Sequence, residues 1–151
     1  MDNQLKPGCD YTGVTVAFFC HDGRGNFVLH KRSEHCRSAC GTWDFGGGCL
    51  EYGETLTDAL FREISEEYGV SGEINEILPV TSHFFPDSAG KPSHWVVIPY
   101  IVQVLRDDVS INDPHSMTEI GWFRFNELPQ PLHPATAKEV EMYKDYFKKY
   151  T

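Results

Sequence analysis

The sequence predicts an α/β fold, a three-layer α/β/α sandwich built on a mixed sheet, and three observations lead there. Runs rich in β-branched and aromatic residues lie both before and after one amphipathic helical segment at 55–68. A second helical segment closes the chain, so a helix is available for each face of a sheet. At 151 residues, with no internal repeat, low-complexity tract or linker, the chain 1–151 reads as a single domain. Such a chain buries roughly two thirds of the surface its unfolded form exposes.

In chain order, GVTVAFFC at 13–20 and FVLHKRS at 27–33 are strands joined by HDGRGN, whose Asp-Gly and Gly-Asn steps are turn chemistry. They form a hairpin. After a polar loop at 34–41, TWDFGGGCLEYGET holds a short strand and then a glycine-rich turn running into the helix. Thr55 with Asp58 three residues on forms a capping box and Gly69 a C-terminal stop, which bounds that helix at about 55–68. INEILPVTSHFF at 74–85 and SHWVVIPYIVQVL at 93–105 read as long strands joined by PDSAGKP. A polar loop leads to EIGWFRF at 119–125, another strand. Prolines in ELPQPLHPAT break regular structure, and AKEVEMYKDYFKKY ends the chain as a helix with Val140, Tyr143 and Phe147 on one face.

The helix at 55–68 carries an anomaly of charge. At about 100° per residue with Leu60 at zero, Phe61, Ile64 and Tyr68 fall between about 40° and 100°, and Leu56 near about −40°. That arc faces the core. On the same wheel Glu67 falls near about −20°, Glu63 near about −60° and Glu66 near about −120°. Asp58, Arg62 and Ser65, at roughly 140° to 200°, occupy the outer face. A solvated acidic face belongs opposite the apolar arc, whereas these glutamates overlap it. Carboxylates crowded at the edge of a core repel one another and lose hydration, so the pattern asks for a cation between them. One guanidinium on the outer side does not neutralise three carboxylates on the inner side, and a divalent metal does.

Composition narrows the partners. A formal net charge of −9 with thirteen Lys and Arg argues against a nucleic-acid polymer or an anionic membrane. It leaves a phosphorylated small molecule, bridged to an acidic protein by metal ions. The longest apolar run, WVVIPYIV at 95–102, is too short to span a membrane and contains Pro99. The segment MDNQLKPGCDYTG lacks the apolar stretch of a secretory signal, so a cytoplasmic location is expected. Five cysteines at irregular spacings read as free thiols rather than a disulfide framework. Cys36 and Cys40 beside His35 resemble half a zinc site with no second pair, which favours ordinary loop cysteines. Cys49 has no His or Asn placed near it in sequence to make it a nucleophile, which favours small-residue packing.

Gly48, Glu54 and then Arg62-Glu63-Ile64-x-Glu66-Glu67-x-Gly69-Val70 match every fixed position, with the right spacing, of the signature of the Nudix hydrolase family, which this chain resembles. The resemblance extends to the preceding hairpin, to WDF, to the long strands and to EIGWFRFNELP, and so covers nearly the whole chain. It implies a Nudix fold and hydrolysis of a nucleoside diphosphate linked to a further moiety, with Mg²⁺ or Mn²⁺ held on the signature helix. The same likeness makes Glu66 and Glu67, with the Gly47 carbonyl, the leading metal ligands. Glu63 is a further ligand or the base that deprotonates the attacking water. Arg62 would orient Glu66 rather than touch substrate, and Glu54 would close the loop against the helix. The glycines would admit a backbone carbonyl to the metal, through close approach and positive φ. Many relatives carry proline where this chain has Gly46.

Outside this stretch the readings stay open. Glu119, before the strand containing Trp122, stands where some relatives supply one more acidic ligand or base, and reads equally as a surface residue. Lys31 and Arg32 end a strand, to meet phosphates or water. Phe84, Phe85, Trp95 and His133 would line a base-stacking pocket, although core packing is the commoner role of strand aromatics. Phe84 is the candidate carried forward for substrate. An active pyrophosphohydrolase, acting on a nucleoside triphosphate or an ADP-ribose-like substrate as monomer or homodimer, is preferred to two alternatives. One is a Nudix-fold nucleotide sensor that does not cleave, which usually shows losses in the glutamates. The other is a diphosphate isomerase, which generally shows an altered signature.

Overall fold

β1 (Gly13–His21) runs through the middle of an eight-stranded sheet because its side chains are apolar on both faces. In the computed structural model, which describes residues 4–87 and 89–151, Val16, Phe18 and Cys20 of β1 point to one hydrophobic cluster and Phe19 to another. Residues 1–3, the start of the segment read as lacking a signal, and Ser88, in the predicted connection at 86–92, lie outside the described residues. β2 (Asn26–Arg32) divides in the same way, with Val28 on one side and Phe27 and Leu29 on the other. An alternation in which both halves are apolar is what a strand covered on both faces requires.

The predicted hairpin forms only at its tip. His21 pairs with Phe27 across a turn in which Asp22 Oδ1 accepts the Arg24 N–H at 2.8 Å, and then the strands part. β4 (Gly46–Cys49) pairs antiparallel with β1 from Phe18 to Thr15, while β2 pairs with β3 (Trp43–Asp44) and β8 (Met117–Arg124). The glycine-rich stretch is therefore a strand, where the sequence suggests a turn. β7 (Pro92–Gln103) lies parallel to β1 on its other side, from Gly13 opposite Trp95 to His21 opposite Gln103. Parallel and antiparallel neighbours together make the sheet mixed.

The stretch at 74–85 is two strands rather than one. β5 (Glu73–Ile77) pairs with one end of β7 and β6 (Thr81–Pro86) with the other. Between them Pro79 has no N–H for the ladder, and its carbonyl accepts the Tyr143 hydroxyl at 2.7 Å.

The first helix, α1 (Leu56–Tyr68), covers one face through Ala59, Leu60, Ile64 and Tyr68. Its N-terminus is capped by Thr55 Oγ1, which accepts the Asp58 N–H at 3.1 Å, and it stops at Gly69 in the left-handed region with φ 69°. The closing helix starts three residues earlier than its predicted bound, at Pro134, with His133 as its cap. It breaks at Tyr143 into α2 (Pro134–Met142) and α3 (Lys144–Phe147). Tyr143 and Phe147 pack on the opposite face against Phe19, Phe27 and Phe45. Helix, sheet and helix make the three-layer α/β/α sandwich, with a core on each side of the sheet. Among the described residues no helix is long and apolar enough to cross a membrane.

Candidate active site

α1 lies across β4, and the glycines of β4 allow it to lie close. A Cβ on Gly48 would collide with the Glu63 carboxyl, and one on Gly46 would strike the Phe18 ring and come within 2.6 Å of Glu67 Oε2. At Gly47 it would stand 2.8 Å from the Val16 carbonyl oxygen. None of the three has positive φ. The second of the two reasons expected for these glycines is thus absent, and close approach alone accounts for them.

This contact sets the electrostatics of the glutamates. Glu67 is half-buried, its Oε2 accepting the Gly47 N–H at 3.3 Å. Burial holds its carboxyl well above the usual carboxylate range, and the neighbouring charges of Glu63 and Asp44 push the same way. Glu63, with 14% of its side chain exposed, is also raised, chiefly by burial, although Arg62 opposes the shift. Glu66 is the outward member, with 59% of its side chain exposed.

Arg62 departs from its wheel position. Its Cα lies on the outer side, but the long side chain wraps round the helix into the carboxylates. Nη2 and Nε donate to Glu54 at 2.6 and 3.0 Å, and Nη1 donates to Glu63 at 2.7 Å and more distantly to Glu66 at 3.3 Å. Nη2 also donates to the Cys49 carbonyl at 3.0 Å, and Glu54 accepts the Glu51 N–H at 2.7 Å. The loop between β4 and α1 is therefore fastened to the helix through Glu54 and Arg62. Glu54 is held below, and Arg62 above, its ordinary pKa by their shared hydrogen bonds.

With Arg62 on Glu63 and Glu66, and Glu67 turned to Gly47, no three acidic, His or Cys side chains among the described residues form a ready-made metal cage. The donor set still fits a hard divalent ion. Three carboxylates lie within about one helical turn, two of them raised in pKa by burial and one accepting a single long hydrogen bond.

Beyond Glu67 the protein opens into a cavity of about 280 Å³ between β4, β6, β7 and α2. Of the other predicted site residues, Gly47 and Arg32 line it, and Lys31, Phe84 and Glu119 do not. Lys31 and Glu119 face each other across β2 and β8, 3.5 Å apart, both well exposed. Phe84 is 69% exposed and stacks on His94, because strand alternation turns it away from the face that His83 and Phe85 share. Phe85, Trp95 and His133, expected mainly in the core, line the cavity instead. Cys36 donates to the Ser116 carbonyl and Cys40 to that of Cys36, and all five cysteines are free.

Sequence reasoning does not single out Asp44, His83, Thr136 or Glu139, which also line the cavity. Thr136 and Glu139 are the buried residues of α2, and Tyr143 and Phe147 continue their line. The 3, 4, 4 spacing of these positions places a carboxylate on an apolar stripe, the same signal that marks Glu67.

The fold and this glycine-strand, glutamate-helix arrangement define a class, and comparison with known proteins names it. The NUDIX domain family model matches residues 11–146, so the chain belongs to the Nudix hydrolase family. Nudix hydrolase 3 of Caenorhabditis elegans is 48% identical over 64 residues, 42% of this chain and 27% of that protein. The low-salt glycan biosynthesis protein Agl8 of Haloferax volcanii is 34% identical over 80% of this chain and 74% of its own length. A crystal structure of a MutT NUDIX hydrolase from Burkholderia pseudomallei aligns with TM-score 0.73 and 29% identity, over 85% of this chain and 95% of that one.

Proposed function

We propose that this chain hydrolyses the pyrophosphate bond of a nucleoside diphosphate linked to a further moiety, by attack of water on phosphorus, with Mg²⁺ or Mn²⁺ as cofactor. The observation that carries this reading is the pair Glu63 and Glu67, desolvated against a strand of glycines at the edge of a cavity. Two carboxylates raised in pKa, Glu63 sharing one guanidinium with Glu54 and Glu66 and Glu67 accepting only the Gly47 N–H, are suited to ligating an ion and to taking a proton. Glu66, Glu67 and the Gly47 carbonyl would hold the ion, with Glu63 as a further ligand or as the base. When bound, the ion neutralises the phosphate charge and acidifies water. Glu67 would then serve as an ionised ligand, and Glu63, where it is the base, would orient the attacking water and accept its proton. Arg62 is a positioning residue, since it holds Glu63 and Glu66 on one side and the loop carbonyl of Cys49 on the other.

The test is a panel of nucleoside triphosphates, ADP-ribose, dinucleoside polyphosphates and nucleotide sugars, each with magnesium and with products identified. One class is expected to turn over, faster toward alkaline pH, and to stop when metal is chelated. Full turnover under exhaustive chelation would overturn the metal reading, and tight binding with no turnover of any member would favour a sensor. Magnesium at millimolar concentration is expected to raise the melting temperature of metal-free protein, because it relieves repulsion among Glu63, Glu66 and Glu67.

A further inference from the structure

The cavity that Glu67 borders also holds a group of polar side chains that hydrolysis does not use. Glu139 of α2 and His83 of β6 have side chains only 10% and 3% exposed. Glu139 Oε1 lies 3.5 Å from His83 Nε2, too far for a good hydrogen bond, and neither nitrogen of His83 has a hydrogen-bond partner among the described residues. A buried imidazole with both nitrogens unpaired is costly unless something else fills the place. Here the imidazole belongs to a residue that lines a cavity.

The neighbours leave both groups free. Arg32 of β2 is engaged by Asp44 of β3 at 3.1 Å, and the other Asp44 oxygen accepts the Thr136 hydroxyl from α2. His133 accepts the Ala135 N–H on Nδ1 at 3.0 Å, which makes its Nε2 an N–H donor. Desolvation lowers the pKa of both His83 and His133, and the charge of Lys138 adds to the effect on His83, so both imidazoles are neutral at pH 7. Tyr143, one turn beyond Glu139, keeps its proton and donates it to Pro79. Burial, reinforced by the charge of Asp44, pushes Glu139 up to about 8. At neutral pH Glu139 is therefore a carboxylic acid, with an O–H donor and a C=O acceptor side by side. The wall beside it is flat and apolar. Phe85 stacks on His83 with centroids 5.4 Å apart and planes at 20°, and Trp95 and Val97 of β7 continue the surface.

We propose that His83 and Glu139 form the recognition head for the heterocyclic base of the substrate, reading a base edge that sets one hydrogen-bond donor beside one acceptor. The ring lies against Phe85 and Trp95, and Glu139 closes a paired hydrogen bond with its edge. An ionised carboxylate offers only acceptors, so the pairing weakens as Glu139 loses its proton. The amide of glutamine keeps both a donor and an acceptor and does not titrate. This inference rests on the nucleotide reading of the site, yet it is testable without hydrolysis.

The experiment is calorimetric titration of the full chain in chelator with AMP, GMP, CMP and UMP, which have no anhydride to cleave, and with ribose 5-phosphate. At least one nucleotide is expected to bind the wild type at pH 7, and ribose 5-phosphate at least about tenfold more weakly, a difference of about 1.4 kcal/mol. Binding of that nucleotide should weaken between pH 7 and pH 9. Glu139→Gln should keep the pH 7 affinity within about threefold and lose the pH dependence, while Glu139→Ala should bind at least about tenfold more weakly at pH 7. If the alanine variant fails to fold, the loss of pH dependence in Glu139→Gln carries the test. The proposal is overturned if no nucleotide binds at millimolar concentration, or ribose 5-phosphate binds as well, or the pH dependence survives in Glu139→Gln. Intact nucleotide binding beside an inert hydrolysis panel would instead sink the proposed activity alone.

Discussion

Glu63 and Glu139 both carry buried carboxyl groups near the same cavity, and the protein manages the two charges differently. On α1 the guanidinium of Arg62 reaches Glu54, Glu63 and Glu66 at 2.6, 2.7 and 3.3 Å, so a cation is shared among acids. On α2 no Lys or Arg among the described residues reaches Glu139. Its nearest candidate partner, His83, stands 3.5 Å away and is itself driven neutral by burial. In the first region Arg62 opposes the rise that burial imposes on Glu63, and the second escapes its charge by keeping a proton. A site that must attract a divalent ion needs the first arrangement, and one that must recognise an uncharged group is served by the second.

The largest effect that would break this contrast belongs to Glu67, which has neither device. Its carboxyl is raised by burial, and among the described residues it touches no cation and accepts only the Gly47 N–H. Glu67→Gln is expected to lower the rate by at least 10²-fold, about 3 kcal/mol of barrier, while raising the melting temperature of metal-free protein. Rates and metal-free melts of the same preparations decide it. A rate near wild type would show that the inward glutamate serves structure alone.

Next is the pH dependence of stability set by Glu139. Because its folded-state value, about 8, lies above that of an unfolded glutamate, the native state binds the extra proton. Its contribution is complete below the unfolded value of about 4.3 and is lost as pH rises through about 8. Glu139→Gln removes that slope. Relative to wild type it should gain stability on the order of 3 kcal/mol between pH 5 and pH 8. Urea titrations at those two pH values measure it, and parallel curves for the two proteins would mean that Glu139 ionises freely in the fold.

Arg62→Met gives a smaller change and sharpens the other half of the comparison. It strips the shared cation from Glu54, Glu63 and Glu66, and because these groups are partly solvated the loss should be about 1–2 kcal/mol in metal-free protein. Magnesium should narrow the gap, since the ion takes over the neutralisation. An equal gap with and without magnesium would separate the role of Arg62 from the metal.

How far these regions are legible in sequence follows from the same physics. Helix angles place Glu67 inward because a short-range geometric rule governs where a Cα–Cβ bond points. The rule says little about Arg62, whose several methylenes carry its charge from the outer side to the inner. Glu139 obeys the rule too, on the stripe of Thr136, Tyr143 and Phe147, but the chain reads there as an ordinary amphipathic end without a flanking motif. The strands are legible as apolar runs, whereas their partners are not. That β4 separates from the following turn to pair with β1, and that Pro79 divides 74–85, depend on hydrogen bonds to distant residues. Phe84 and Phe85 differ only in strand phase, and phase is set by the register against β7.

The smallest expected effect tests whether position, rather than acidity, makes a site of α1. Asp58 and Glu66 are both exposed acids on the same helix. Asp58 sits in the first turn, where its backbone N–H meets the Thr55 cap and its side chain faces water, favourably placed toward the helix N-terminus. Asp58→Asn should cost no more than about 0.5 kcal/mol of stability, the value of one exposed charge near a helix end, and leave the rate within about twofold. Glu66 lies two turns on, 3.3 Å from Arg62 and on the side of Glu63. Glu66→Gln should change metal-free stability as little as Asp58→Asn does, because both are solvated, and yet lower the rate, though less than Glu67→Gln. Steady-state rates at saturating magnesium, with melts of the metal-free proteins beside them, separate the two acids. Matching rates would mean that exposure governs both and that the metal site, if Glu67 still proves essential, is built without Glu66.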